Sequence, residues 1–363
     1  MPIPRSLSFI RPGAGLATAA VGLVVGLAAG LALSTPAAAE TKTVYIGMNG
    51  GTMEKTYTEH VFPAFEKATG IKVVVVPGTS SDILAKLQAQ KDNPQMHVVF
   101  LDDGLMYRAI GMGLCQKMEP SPVLDEVYPS SRMKGDLAVG VNMGMTGLAY
   151  NKKMFDEKGW PAPTSWMDLA DSKYQGKVVV QSAASSSFGL HAFLMYNRVQ
   201  GGSETNVDPG FTTWRKTIGP NVLEYIPSSA KIAEMVQTGE AALFPLTPTG
   251  VGSLKEKGIP VEYAQPKEGS VVLMVGECVV ARTPDNAAAQ KLAAYLLSQE
   301  AQLAALAYGA QIPSNTKVSP PAEVADAMGK FQTYMKNAVT VDWDVINEKR
   351  PDWNQRWNKE IER

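Results

Sequence analysis

Ile71-Lys72-Val73-Val74-Val75-Val76-Pro77-Gly78-Thr79-Ser80-Ser81-Asp82 is the stretch on which the fold turns. An apolar run of strand length ends at Pro77-Gly78. A polar turn follows, and residues 83–90 then carry apolar side chains at helical spacing. The same order stands on either side. Val44-Tyr45-Ile46 reads as a strand, Asn49-Gly50-Gly51-Thr52 as a turn, and residues 53–69 as a helix that Gly70 closes. His97-Val98-Val99-Phe100-Leu101 is a third strand, ending at Asp102-Asp103-Gly104 before a helix to residue 110. In an open parallel sheet these three turns share one edge, where helix N-termini and free backbone N–H groups converge on ligands.

The second half repeats the pattern. Residues 176–180 form a strand, Ser182-Ala183-Ala184-Ser185-Ser186-Ser187 a turn, and residues 188–198 a helix. Residues 221–226 are another strand, and Pro227-Ser228-Ser229 starts a helix over 230–238. Residues 241–244 are a strand running into Thr247-Pro248-Thr249-Gly250. Strands alternating with helices predict an α/β fold. Two extended stretches, 143–151 and 271–282, are candidate crossings between a first and a second lobe. No internal repeat interrupts this scheme.

Ahead of both halves, Arg5 and Arg11 precede an apolar run over residues 14–33, then Ala37-Ala38-Ala39 and the first acidic residue, Glu40. That order predicts a secretory signal peptide over residues 1–39, cut before Glu40. A membrane anchor is the other reading, but a run of Ala, Gly and Val inserts weakly. No Cys follows for lipid attachment. About 324 residues then remain, more than one hydrophobic core usually serves. Removing Arg5 and Arg11 leaves 32 basic against 35 acidic side chains, a net charge of −3, which gives no reason to expect nucleic acid or an anionic membrane as partner. Cys115 and Cys278 either pair in an oxidising compartment or stay as two buried thiols. His60, His97 and His191 lack metal-ligand spacing, so no metal and no cofactor is expected.

The chain carries no Gly-x-Ser-x-Gly elbow, His-Glu-x-x-His, Walker loop or Gly-x-Gly-x-x-Gly. Asp102 and Asp103 are the one candidate acid/base pair, and a secreted hydrolase built on them is the competing class; helix capping is the structural reading for one of them. Three hydroxyl clusters, at 79–81, 185–187 and 228–229, exceed what N-capping needs. Neutral donors beside helix N-termini suit a carboxylate, a phosphate or a polar hydroxyl. The candidate ligand residues are therefore Asn49, Gly51, Thr52, Thr79, Ser80, Asp102 and Asp103 in the first lobe, with Ser185, Ser186, Ser229 and Thr247 in the second. Trp353 and Trp357, spaced i, i+4, are expected to pack on a lobe.

Gly147-Leu148-Ala149-Tyr150-Asn151-Lys152, Pro163-Thr164-Ser165-Trp166-Met167-Asp168-Leu169, Tyr174-x-Gly176-Lys177-Val178, Gly239-Glu240-Ala241-Ala242-Leu243 and Tyr295-Leu296-Leu297-Ser298-Gln299-Glu300-Ala301-Gln302 resemble the periplasmic solute-binding proteins of ABC importers, in the branch of polyamine and ferric-iron binders. The resemblance implies a two-lobe type II binding-protein fold, a hinge of two crossing strands, closure on a small-molecule solute, and docking of a monomer on importer permease subunits. It implies lobes of 40–146 plus 272–318 and 147–271 plus 319–363, with Tyr150, Asn151 and Gly276 at the hinge. Polyamine binders of this branch carry Trp-x-Asp on the second crossing strand, where this chain has Met274-Val275-Gly276. Iron binders use adjacent tyrosines, which this chain lacks. Asp102, Asp103 and Glu277 keep a cationic ligand such as a polyamine open, whereas the hydroxyl clusters favour a carboxylate or phosphate. A sensory receptor of the same fold is not separable from a transport protein on sequence.

Overall fold

The computed structural model describes residues 42–227 and 229–362. The leader, its cut before Glu40, and Ser228 lie outside the described residues, as does the side chain of Thr52. Strands β1 (Thr43–Met48), β2 (Lys72–Pro77) and β3 (Val98–Asp102) run parallel with β1 between the others, Ile46 pairing both Val75 and Val98. β3 is buried along its apolar run, while β2 at the sheet edge is only partly covered and Tyr45 of β1 is exposed. One face packs on Phe65, Phe100 and Leu292, the other on Ile83, Leu101 and Met106.

The chain then enters β4 (Ala138–Asn151), fourteen residues long. After it come β5 (Val178–Gln181), β6 (Val222–Ile226), β7 (Leu243–Leu246), β8 (Val261–Ala264) and β9 (Ser270–Val280). The strand order is β2-β1-β3-β9-β4-β7-β5-β6. The first half of β4 pairs antiparallel with β9, down to Thr146 opposite Val271. From Gly147 onward the same strand pairs with β7 and β8 instead. Thus β4 belongs to two sheets and changes partners between Thr146 and Gly147. A Cβ at Gly147 would stand 2.2 Å from the Tyr263 hydroxyl on β8, so only glycine lets the second sheet close there. Beside the switch, the buried Thr146 hydroxyl meets Nδ1 of His191 at 2.9 Å, and burial pushes that imidazole down to about 3, leaving it neutral.

The second crossing is the link 265–269 between β8 and β9, which corrects the placement of the hinge at Gly276. Gly276 lies inside the first sheet, opposite Leu101 and Gly140, with a bulge between it and Val275. Its missing Cβ makes room for Met133, whose methyl would be 3.1 Å away. Tyr150 and Asn151 also sit beyond the switch. Tyr150 packs on Phe155, and Asn151 caps the helix Lys152–Lys158 by accepting from the Met154 N–H at 3.0 Å.

The second lobe's core is aromatic, built on Trp166, Phe193, Phe211 and Trp214, and the C-terminal Trp353 and Trp357 complete it. The helix Ala322–Met335 departs from the grouping of 319–363 with that lobe. Its Met328 and Phe331 join the core of the first sheet, beside Leu101 and Met106.

Cys115 and Cys278 form a disulfide across adjacent strands, with Cα atoms 5.7 Å apart and a sequence separation of 163. The sequence left this pairing open because neither cysteine has a local signal. The sheet decides it, since Cys115 pairs Val280 and Gln116 pairs Val279 at the end of β9. A cross-link over so long a loop stabilises chiefly by restricting the unfolded chain. The double variant Cys115→Ala/Cys278→Ala is expected to lose about 4–5 kcal/mol of stability, read from urea denaturation against the oxidised protein.

Candidate functional site

The first-lobe turns meet at one sheet edge. Helix α1 (Ser80–Ala89) follows β2. Its N-cap Thr79 accepts from the Asp82 N–H at 3.2 Å and donates its own N–H to the Asp82 carboxylate at 3.0 Å. The Thr79 hydroxyl and N–H hold the Asp82 carboxyl below its ordinary value. Helix α2 (Asp103–Gly111) follows β3. The Asp102 N–H donates to the Ser80 hydroxyl at 3.1 Å, tying the second strand end to the third.

Asp102 and Asp103 then part company. Asp102 faces an open cavity, and burial raises its carboxyl while the Ser80 hydroxyl works the other way. Asp103 points into the protein. Its two oxygens accept from the Gly104 N–H at 2.9 Å and the Met274 N–H at 3.3 Å, bracing α2 against β9. Burial, and then the neighbouring Asp102 charge, hold Asp103 well above the usual carboxylate range. An acid/base pair sharing one site is therefore not formed.

Across the cleft, helix α3 (Ser187–Val199) follows β5. Ser185 and Ser187 face the cavity of Asp102. Ser186 instead caps α3, accepting from the Phe188 N–H at 3.2 Å and donating to Gln181 at 2.7 Å. Helix α4 (Pro248–Glu256) follows β7 and is capped by Thr247, whose hydroxyl accepts from the Gly250 N–H at 3.0 Å and meets the Thr249 hydroxyl at 3.1 Å.

The predicted residues divide between two cavities. The first, of about 820 Å³, takes Asn49, Thr79, Ser80 and Asp102 from one lobe and Ser185 from the other. The second, of about 350 Å³, takes Ser229 and Thr247. At the start of α3, Ser187 lines one and Phe188 the other. Gly51, at φ 72°, caps the helix after β1 and lines neither. Glu277 lines neither and is a correction. It is fully buried, both carboxyl oxygens lack a partner among the described residues, and burial keeps it well above its ordinary value. It lies near Tyr57, whose phenol is raised by burial and then by Glu277.

The first cavity also contains Trp343, which the sequence allows to reach a ligand, and groups to which the sequence reading gives no role. Arg108 projects from α2, and helix α5 (Trp343–Arg356) contributes Trp343, Asn347, Arg350 and Asn354. Their spacing of i, i+4, i+7 and i+11 was a legible signal, one face of a helix with a polar stripe. Helix α5 spans the cleft. Asn347 donates to the Gly104 carbonyl at 2.9 Å in the first lobe, Asn354 to the Ala184 carbonyl at 3.4 Å in the second, and Lys134 pairs with Asp344. Trp343 lies so close that a Cβ on Gly104 would be 2.8 Å from its ring. Arginine ion pairs among the described residues are made by Arg132, Arg198, Arg282 and Arg356. Arg108 and Arg350 make none. Burial, and then the Arg108 charge, push the Arg350 guanidinium down, against a smaller pull from Asp103. Among the described residues no group of three His, Cys, Asp or Glu side chains is placed to hold a metal ion.

A family model for bacterial extracellular solute-binding proteins matches residues 61–332. The chain belongs to that family. A putative 2-aminoethylphosphonate-binding periplasmic protein of Salmonella typhimurium is 25% identical over 359 residues, covering 91% of this chain and 95% of its own. Spermidine/putrescine-binding periplasmic protein 1 of Haemophilus influenzae is 25% identical over 275 residues, covering 72% of each chain. Among solved structures, an ABC transporter protein from Clostridium perfringens superposes with a TM-score of 0.77 at 18% identity, covering 88% of this chain and 99% of that one. This protein is a solute-binding protein of the two-lobe α/β fold, and among its described residues no helix is long and apolar enough to cross a membrane.

A carboxyl whose pKa is higher folded than unfolded opposes folding once it must ionise. At pH below the ordinary carboxylate range both states hold the proton and no penalty exists; above it, stability falls as pH rises toward the folded value. Glu277→Gln keeps the shape and removes the titration. Its stability relative to the unaltered protein is expected to climb between about pH 5 and pH 8, read from urea midpoints; a difference that stays constant with pH would contradict a neutral Glu277.

Proposed function

We propose that the mature protein, beginning at Glu40 in the periplasm, binds as a monomer a solute bearing a phosphate, phosphonate or carboxylate and delivers it to the permease subunits of an ABC importer without altering it. The observation that carries this reading is the pair Arg108 and Arg350, two guanidinium groups without carboxylate partners facing one cavity. Arg350 is partly buried and feels the charge of the exposed Arg108, and an anion between them relieves that repulsion while accepting hydrogen bonds from both. The hydroxyls of Ser80, Ser185 and Ser187 supply further neutral donors, and the N-termini of α1 and α3 point positive ends toward the same space.

Asp102 fits a zwitterion, its carboxylate taking an amine as the arginines take the anion. The Salmonella relative's name describes such a compound. The Haemophilus relative is named for polyamines, and Asp102 suits them too, but two arginines in the cavity oppose a polycation. A hydrolase reading has lost its geometric basis, because Asp102 and Asp103 face different surroundings. Closure would turn about the Thr146–Gly147 switch and the 265–269 link.

Arg350→Gln and Arg108→Gln are each expected to weaken 2-aminoethylphosphonate binding about 10- to 100-fold, or about 1.4–2.8 kcal/mol, while the ligand-free melting point holds or rises. Calorimetry and thermal shift read both. Tight spermidine binding with no response to any phosphonate, phosphate or carboxylate overturns the reading. Mass spectrometry of the exported protein is expected to give Glu40 as its first residue; a retained leader refutes the cleavage.

A further inference from the structure

The second cavity has a different chemistry. It is walled by Leu273 and Val275 of β9 and by the hydroxyls at the start of α4, and no charged side chain lines it. Its polar centre is Gln311. The Gln311 Oε1 accepts from Asn142 Nδ2 at 2.9 Å and from the buried Tyr57 hydroxyl at 3.3 Å. Two donors fill an amide oxygen's two lone pairs, so the Gln311 amide is held with Nε2 turned away from them. Among the described residues that NH₂ has no acceptor, and Asn142 Oδ1 has no donor. The chain reaches Gln311 through Ala310, which also lines the cavity and sits in the left-handed region at φ 51°. A non-glycine residue held there stores strain at the turn that delivers Gln311.

An unused amide donor on Gln311 and an unused amide acceptor on Asn142, both neutral and both on residues that line the cavity, match hydroxyl groups, which are themselves donors and acceptors. They do not match an ammonium, which has only donors and needs a carboxylate once it leaves water. Of the carboxylates close in sequence to its lining, Glu54 follows Met53 but does not line the cavity, and Glu277, two residues beyond Val275, is closed off in the core. Neighbouring residues line the two cavities at two places, Ser187 and Phe188 along the chain and Asp102 and Val275 across paired strands. Resting on the anionic reading above, we propose that the second cavity holds an uncharged hydroxylated portion of the same solute and discriminates against a cationic end, so that the solute class is a polyhydroxylated phosphate, phosphonate or carboxylate.

The test is calorimetry of the mature protein with sorbitol 6-phosphate, 6-aminohexyl phosphate and inorganic phosphate. Sorbitol 6-phosphate is expected to bind at least tenfold tighter than either competitor. Gln311→Leu is expected to abolish that advantage and leave inorganic phosphate unchanged; Gln311→Glu, which supplies a carboxylate, is expected to reverse the order toward the aminohexyl ester. Equal or tighter binding of the aminohexyl ester by the unaltered protein, or a ratio that Gln311→Leu does not move, overturns the inference. If inorganic phosphate and both esters fail to bind, the arginine reading falls separately. The cavity is then judged on sorbitol against 1,6-diaminohexane, and anything short of a preference for sorbitol that Gln311→Leu removes overturns the inference.

Discussion

One strand holds this molecule together by serving two sheets. Backbone hydrogen-bonding groups cannot be left unpaired inside a protein, so β4 can pass from one lobe to the other only where its partners change without a gap. That happens between Thr146, opposite Val271, and Gly147, opposite Leu246. The absence of a side chain at Gly147 makes room for Tyr263. The neutral His191 fastens Thr146 from the other side. Both cavities take lining residues from the two lobes that this two-residue joint and the 265–269 link connect.

The cleft divides its polar work by environment. At the first-lobe edge, neighbouring carboxyls in sequence take different roles because a strand end sends successive side chains in different directions. Asp102 faces the open cavity and Asp103 becomes an internal brace. The arginines have no such brace. Arg350 reaches the cavity on a helix whose tryptophans are buried in the second lobe and whose Asn347 is bonded to the first. Helix α5 thereby contacts both lobes and lines the cavity between them.

Much of this could be read from the chain, for reasons that can be named. The valine run after Ile71 and the turns at Asn49, Thr79, Asp102, Ser185 and Thr247 are local patterns, and the sheet edge they define follows from parallel pairing alone. Cap roles were also local, as Thr79, Ser186 and Thr247 show. What escaped was contact between distant segments. Nothing near Cys115 announces Cys278. Arg350 lies in a C-terminal helix whose tryptophans drew the reading toward packing, and its polar stripe gains meaning only against Arg108, over two hundred residues earlier. Glu277 has the composition of a ligand residue and the location of a core residue, a distinction that burial alone makes. Gly276 marks a bulge and a close methionine, which a glycine in sequence cannot tell from a hinge.

The pairing of β9 with β3 has a consequence in time. Val99 of the first sheet waits for Cys278, and Met143 for Met274, while every strand partner of β5, β6, β7 and β8 lies between 147 and 264. A polypeptide emerging N-terminus first could complete the strand pairing of the later-born half before that of the earlier one, which stays an unclosed sheet with a bare β3 flank until its last strand arrives. Long-range pairing of this kind is slow and exposes apolar edges meanwhile, so the vulnerable interval in the life of this molecule is the passage of its final hundred residues.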